Sequence, residues 1–247
     1  MGNKMQYPKP KTLKNLITKH LLAALTLTIG TGLLIIFTNL PYTNALSTNP
    51  SSPQPHSLPS TLSQWQDNTN SGDYFSQVVT TEVGYLVWSK FPVRVHIKRP
   101  QIINNQQAQV WVDSILQTVQ EWNNYLPLTV VEQPEIADIT IERKTPPLEL
   151  RENKIPRARS ALTRYELYTS NKVLLHRFTI LLSPTQTGNY LISAARHELG
   201  HALGIWGHST LSTDALYFSQ VRNPPPISPR DVNTLKRIYQ QPTSLGW

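Results

Sequence analysis

His197, Glu198 and His201 stand at the head of HELGHALGIWGHS (197–209), the densest concentration of potential chemistry in the chain. On a helix, residues four apart share a face, so the two imidazoles can present their nitrogens to one cation. Glu198 follows the first histidine directly and projects beside that cation. There a carboxylate can take the proton of a coordinated water and later pass it to a leaving amine. Zinc is the ion expected, since neutral imidazoles suit it and an open fourth position can hold a water whose pKa it lowers.

Such a site needs a third protein ligand. No glutamate follows Glu198, which closes the arrangement in which a later helix supplies one. The downstream candidates are His208, Asp214 and Asp231. Gly204 can end the helix and turn the chain, and Gly207 flanks the same turn, which brings His208 within reach. Histidine also matches a site already built of imidazoles. The expected metal set is His197, His201 and His208, with Asp214 the main alternative for the third position and Glu198 the catalytic base.

The elements that must hold these residues are legible as periodic stretches. TGNYLISAAR, before the motif, is apolar at helical spacing and supplies the buried turns of the ligand helix. Pro92 to Lys98 alternates like a half-buried strand, and Asn105 to Tyr125 places Val112, Ile115, Val119 and Trp122 at helical spacings. LTVVE (128–132), ADITIER (137–143), SALTRYEL (160–167) and VLLHRFTILL (173–182) read as strands, and Lys144 to Ser160 as an exposed loop. His176, inside the last strand, is expected to face a neighbour rather than a metal. A helix from about Pro229 to Tyr239 closes the chain. The fold class expected is α+β, with a mixed, mainly antiparallel sheet, an active-site helix carrying HExxH and a C-terminal helix.

Ahead of this domain, Leu21 to Leu40 carries no charge across twenty residues, enough to span a bilayer. Five of the 23 basic residues, Lys4, Lys9, Lys11, Lys14 and Lys19, precede it, and without them basic and acidic residues nearly balance at 18 against 15. The net charge of +8 is therefore mostly a property of the tail. It favours retention of the tail inside and export of the rest rather than nucleic-acid binding. Uncleaved, 21–40 is a transmembrane signal anchor; cut after the small residues Thr43 to Ala45, it is a secretory signal. The organisation expected is a cytoplasmic tail (1–20), this segment (21–40), a Ser/Pro-rich linker (41–72) and a metallopeptidase domain (73–247). That domain is expected outside the cytoplasm, membrane-anchored, or secreted or periplasmic. The chain has no cysteine, which excludes disulfides, thiolate metal sites and cysteine nucleophiles.

These residues resemble the metzincin peptidases, and within them the matrixin-like group. Their pattern is HExxHxxGxxH; His197, Glu198, His201 and Gly204 fit it, and the last histidine arrives one position late. EWNNYLPLTVVE, ADITIER and ISPRDVNTLKRIY resemble that group's helix, strands and final helix, so the likeness runs from about Val93 to Tyr239. The resemblance implies a zincin-like fold and a zinc endopeptidase acting on peptide or protein substrates through a zinc-bound water activated by Glu198. It also implies a methionine-bearing turn beneath the metal. Here TDALYF (213–218) occupies that place, with Leu216 eight residues after His208, the matrixin separation. Both methionines, Met1 and Met5, lie in the tail. Leucine is close to methionine in volume and is expected to serve as the floor. No acidic cluster suits the structural calcium sites of animal matrixins, and a cysteine-based latency switch is impossible. The alternative function is a catalytically inactive envelope or cell-surface binding module on the same fold.

Overall fold

The computed structural model describes residues 52–148 and 158–247. The tail (1–20), the apolar run (21–40) and the first part of the expected linker lie outside the described residues. Among the described residues no helix is long and apolar enough to cross a membrane.

Five strands, β1 (Val93–Lys98), β2 (Leu128–Val130), β3 (Ile139–Arg143), β4 (Ala161–Ser170) and β5 (Val173–Leu182), form one sheet in the order β2-β1-β3-β5-β4. Four helices are described: α1 (Ser60–Gln64), α2 (Asn105–Asn123), α3 (Gly188–Ala202) and α4 (Pro229–Tyr239). The class is α+β with a mixed sheet, as the sequence suggests.

The strand directions correct the expectation of a mainly antiparallel sheet. β1 pairs in parallel with β2 and with β3, and β3 pairs in parallel with β5; only β4 and β5 run antiparallel. The physical reason is connection length. β1 and β2 are joined through the 19-residue α2, a crossover that returns the chain in its starting direction. Alternating burial, as in Val93, Val95, Ile139 and Ile141, reports which face is covered but not which way the neighbour runs. β4 and β5 instead meet through Asn171 and Lys172, both with positive φ (51° and 67°). Two such residues in a row suit the twist of a tight hairpin.

α2 and α3 pack against each other through Trp122, whose indole Nε1 donates to the carbonyl of Arg196, 2.9 Å away. The Arg196 guanidinium, 9% exposed, pairs with Glu121 of α2 at 2.6 Å, and the same contact lowers the Glu121 carboxyl against the upward push of its burial. α4 begins with a capping box between Ser228 and Asp231 and has Pro229 in its first turn.

The described part of the stretch expected to be a linker, 52–72, instead packs on the domain. Leu62 of α1 is fully buried, the Trp65 indole donates to Asn233 of α4, and Gln54 pairs with Thr243. A few apolar anchors in a Ser/Pro-rich sequence are enough to dock it, which composition averaged over the stretch conceals.

His176 faces neighbours, as expected: Trp88 lies against it, tilted by 31° with ring centroids 4.0 Å apart, and the Trp88 indole donates to the carbonyl of Ala202 at the end of α3. Burial holds the His176 imidazole down to about 3 from its ordinary 6.5. Between those pH values the unfolded chain binds a proton that the folded chain refuses. Stability from this residue is therefore lost as pH falls from about 6.5 toward 3, by up to about 1.4 kcal/mol per pH unit. In His176→Leu that component disappears, so denaturant titrations should show the variant gaining on the wild type as pH falls below 6.5. A stability gap independent of pH would contradict this placement of the imidazole.

Candidate metal centre

α3 carries His197, Glu198 and His201 on its last turns and ends at Ala202. Gly204 follows with φ at 127°, a conformation that L side chains rarely adopt, and a Cβ there would stand 2.8 Å from the Leu86 carbonyl. The chain turns at this point as the sequence suggests, and it brings His208 back to the helix. The three imidazoles form a near-equilateral triangle, with ring centroids 4.7 Å apart for His197 and His201, 5.2 Å for His197 and His208, and 4.8 Å for His201 and His208. One ligand atom from each lies within 4.8 Å of the other two. This group could hold a metal ion.

The tautomers support that reading. His197 Nδ1 meets the carbonyl of Ala215 at 3.0 Å, and His201 Nδ1 meets the carbonyl of Ile205 at 2.7 Å. A carbonyl only accepts, so each Nδ1 carries the proton and each Nε2 presents a lone pair. Those two Nε2 atoms stand 3.1 Å apart. Two nitrogens on one tetrahedral ion with metal–N bonds of 2.0–2.1 Å stand about 3.3 Å apart, so this pair is spaced to share a cation. Burial, followed by the neighbouring His197 and His208, holds His201 well below the ordinary imidazole range and keeps it neutral, as ligation requires.

The other two candidates for the third position are committed elsewhere. Asp214 accepts from the Ser209 and Ser228 hydroxyls and pairs with Arg230 at 3.1 Å. Asp231 accepts from the backbone N–H groups of Ser228 and Ala215, each at 2.8 Å, and from the Tyr74 hydroxyl at 2.5 Å. Through Ala215, Asp231 fixes the turn whose carbonyl orients His197. Next in that turn, Leu216 is fully buried beneath the helix, and a Cβ added at Gly200 would come within 2.7 Å of its Cδ2. Leu216 thus lies under the histidine helix.

Glu198 is buried at 9% exposure and lines an open cleft of about 750 Å³ together with the three histidines. Burial pushes its carboxyl up, while His197 and a hydrogen bond from Thr163 pull it down. Ala161, Leu162 and Thr163 of β4, the end strand of the sheet, form one wall. Trp206, edge-on to Tyr165 with centroids 5.3 Å apart, and the exposed Val79 and Phe218 contribute to the others.

No protein-family model and no curated protein sequence matches the chain.

Sequence reasoning placed His197, Glu198, His201 and His208 together, and the structure brings all four to one cleft. It missed Thr163, Tyr74 and the segment around Val78. Thr163 had a faint signal, a hydroxyl at an inward position of a strand whose inward neighbours are apolar. Tyr74 and Val78 had none, because their partners are more than a hundred residues away.

The segment around Val78 matters to His208. Val79 N–H donates to the Trp206 carbonyl at 2.9 Å, and Val78 pairs with Gly207. The approach is so close that a Cβ at Gly207 would lie 2.2 Å from the Gln77 carbonyl oxygen. Gly207→Ala must therefore separate two backbones, and it is expected to destabilise the protein by about 1–3 kcal/mol. Chemical denaturation measures that loss, and metal titration of the same variant should show weaker binding, because the residue next to His208 has moved.

Proposed function

We propose that the protein is a zinc-dependent endopeptidase of the metzincin type, close in plan to the matrixins. The observation that carries this reading is the convergence of three imidazoles beside a buried glutamate in an open cleft walled by the end strand of a sheet. His197, His201 and His208 would hold the ion. Zinc, when bound there, supplies a Lewis acid that polarises a peptide carbonyl and makes an attacking water more acidic.

Glu198 acts as the base and then as the acid. Its carboxylate takes a proton from the attacking water as the new C–O bond forms, and returns a proton to the amine nitrogen as the C–N bond breaks. Desolvation supports this role, since it raises the affinity of Glu198 for the proton it must carry. Among the described residues β4 ends the sheet, so its outer edge is the place for an extended substrate strand, and Val79, Trp206 and Phe218 offer apolar contact to its side chains. The lysine-rich tail before the uncharged run 21–40 supports a domain outside the cytoplasm, tethered to the membrane or released by cleavage.

Glu198→Gln keeps the three imidazoles and is expected to bind zinc like the wild type. Hydrolysis of an unstructured protein substrate should fall at least about 10²-fold, since a general base of this kind contributes 10²–10⁴-fold. Undiminished hydrolysis by that variant would sink the mechanism.

His208→Ala is expected to weaken zinc binding, read as loss of the rise in melting temperature that saturating zinc gives the wild type. A ligand present at about 100 times its dissociation constant stabilises by about 2.7 kcal/mol, so the effect is measurable. Zinc content near zero in wild-type protein purified at neutral pH without chelator would overturn the metal site itself.

A further inference from the structure

β4 presents Thr163 at its most buried position, 6% exposed, in register with Ile180 of β5. Valine would fill this inward strand position with the same shape and no polar atom to bury, so the hydroxyl needs a reason. Both of its hydrogen-bond partners belong to one residue. The Thr163 hydroxyl lies 2.6 Å from Glu198 Oε2 and 3.1 Å from the Glu198 carbonyl oxygen. We infer that Thr163 is the positioning residue for Glu198, holding its carboxylate by one oxygen against the edge strand and aiming it into the cleft. The inference rests on the peptidase reading and names the device that makes Glu198 effective in it.

The arrangement has a chemical logic. Glu198 sits on the last turns of a helix with a flexible two-carbon stem, whose rotamer decides whether its carboxylate faces the cleft. A hydroxyl with one proton and two acceptors fixes it without a competing charge. Donation to Oε2 suits the carboxylate. Rotation of the same proton to the main-chain carbonyl turns an oxygen lone pair toward Oε2, which suits the carboxylic acid. No rearrangement of heavy atoms is needed between the two. The anchor is itself rigid, because β4 is paired along all ten of its residues with β5. The wall that would bind substrate and the group that orients the base are thus one strand.

The test compares wild type, Thr163→Val, Thr163→Ala and Thr163→Ser in the zinc-loaded full-length chain. Thr163→Val should lower kcat about 10- to 100-fold, the scale of a lost hydrogen bond to a charged group, with KM and zinc affinity changed little. Thr163→Ser should restore most of the rate, and Thr163→Ala should resemble Val, since both lack the hydroxyl and only Val fills its space. Full kcat in both Val and Ala would overturn the inference, as would an equal loss in Ser. A wild type that binds zinc but hydrolyses nothing would defeat the peptidase reading and not this one. In that case crystal structures of the zinc-bound wild type and Thr163→Val decide: a Glu198 carboxylate turned away in the variant supports the inference, and an unchanged rotamer overturns it.

Discussion

Two imidazole lone pairs facing each other across 3.1 Å repel unless a cation lies between them, and much of the local order in this protein serves to hold that arrangement. Each ring is locked by a backbone carbonyl on its far nitrogen. The carbonyls come from different places: Ile205 just past the helix end, and Ala215 in a loop fourteen residues beyond His201. The first makes the orientation of His201 a property of the turn at Gly204. The second makes that of His197 depend on whatever fixes the Ala215 loop. Partners of this kind raise ligand basicity and set the tautomer, so their placement matters nearly as much as the ligands themselves.

The Ala215 loop is fixed by buried acid. Asp231, fully buried, reaches from the first turn of α4 to the backbone N–H of Ala215 and takes a further hydrogen bond from Tyr74. Burial pushes its carboxyl up, and the hydrogen bonds from Tyr74, Ser228 and Ala215 oppose that push. Asp214, in the same loop, is tied to Ser209, Ser228 and Arg230. Two aspartates that the sequence offers as possible metal ligands are thus the struts of the floor. With its backbone held by Asp231, that floor needs only an apolar side chain of the right volume beneath the helix, and Leu216 fills the space against Gly200 and Trp122. Its thioether counterpart in the resembled family is not required for packing of this kind.

What the sequence disclosed and what it hid follow from the range of the interactions. The helix Pro229–Tyr239 and the helix Gly188–Ala202 were legible because caps, glycines and periodicity act within a few residues. The strands were legible because alternation is local too, and the positions of β1, β3 and β5 agree with it. Strand direction was not, since it depends on how a crossover returns and not on any pattern inside the strand. The docking of 52–72 was hidden for a related reason: Trp65 finds its partner Asn233 at the far end of the chain, Leu62 joins the core, and a count of serines and prolines outweighs two apolar side chains. The four site residues named from the sequence come together because three of them share one helix and the fourth follows a single turn.

That turn is what returns His208 to the histidine-bearing helix. Within it, Trp206 N–H donates to the Gly204 carbonyl and Gly207 N–H to that of Ile205, a tight coil with few outward backbone bonds of its own. The Trp206 carbonyl would face outward unpaired, and it is taken up by the N–H of Val79. The segment supplying that N–H also carries Tyr74, whose hydroxyl completes the partners of Asp231, so one stretch of chain braces both sides of the triangle. Arg237 holds it at Asp73, and Asn233 holds Asp67 further along. Departure of this stretch would free the Trp206 carbonyl and strip the Asp231 carboxylate of its hydroxyl partner, loosening the loops that present His208 and orient His197. The turn that presents His208 and the segment from Asp73 to Val79 are therefore braced against each other.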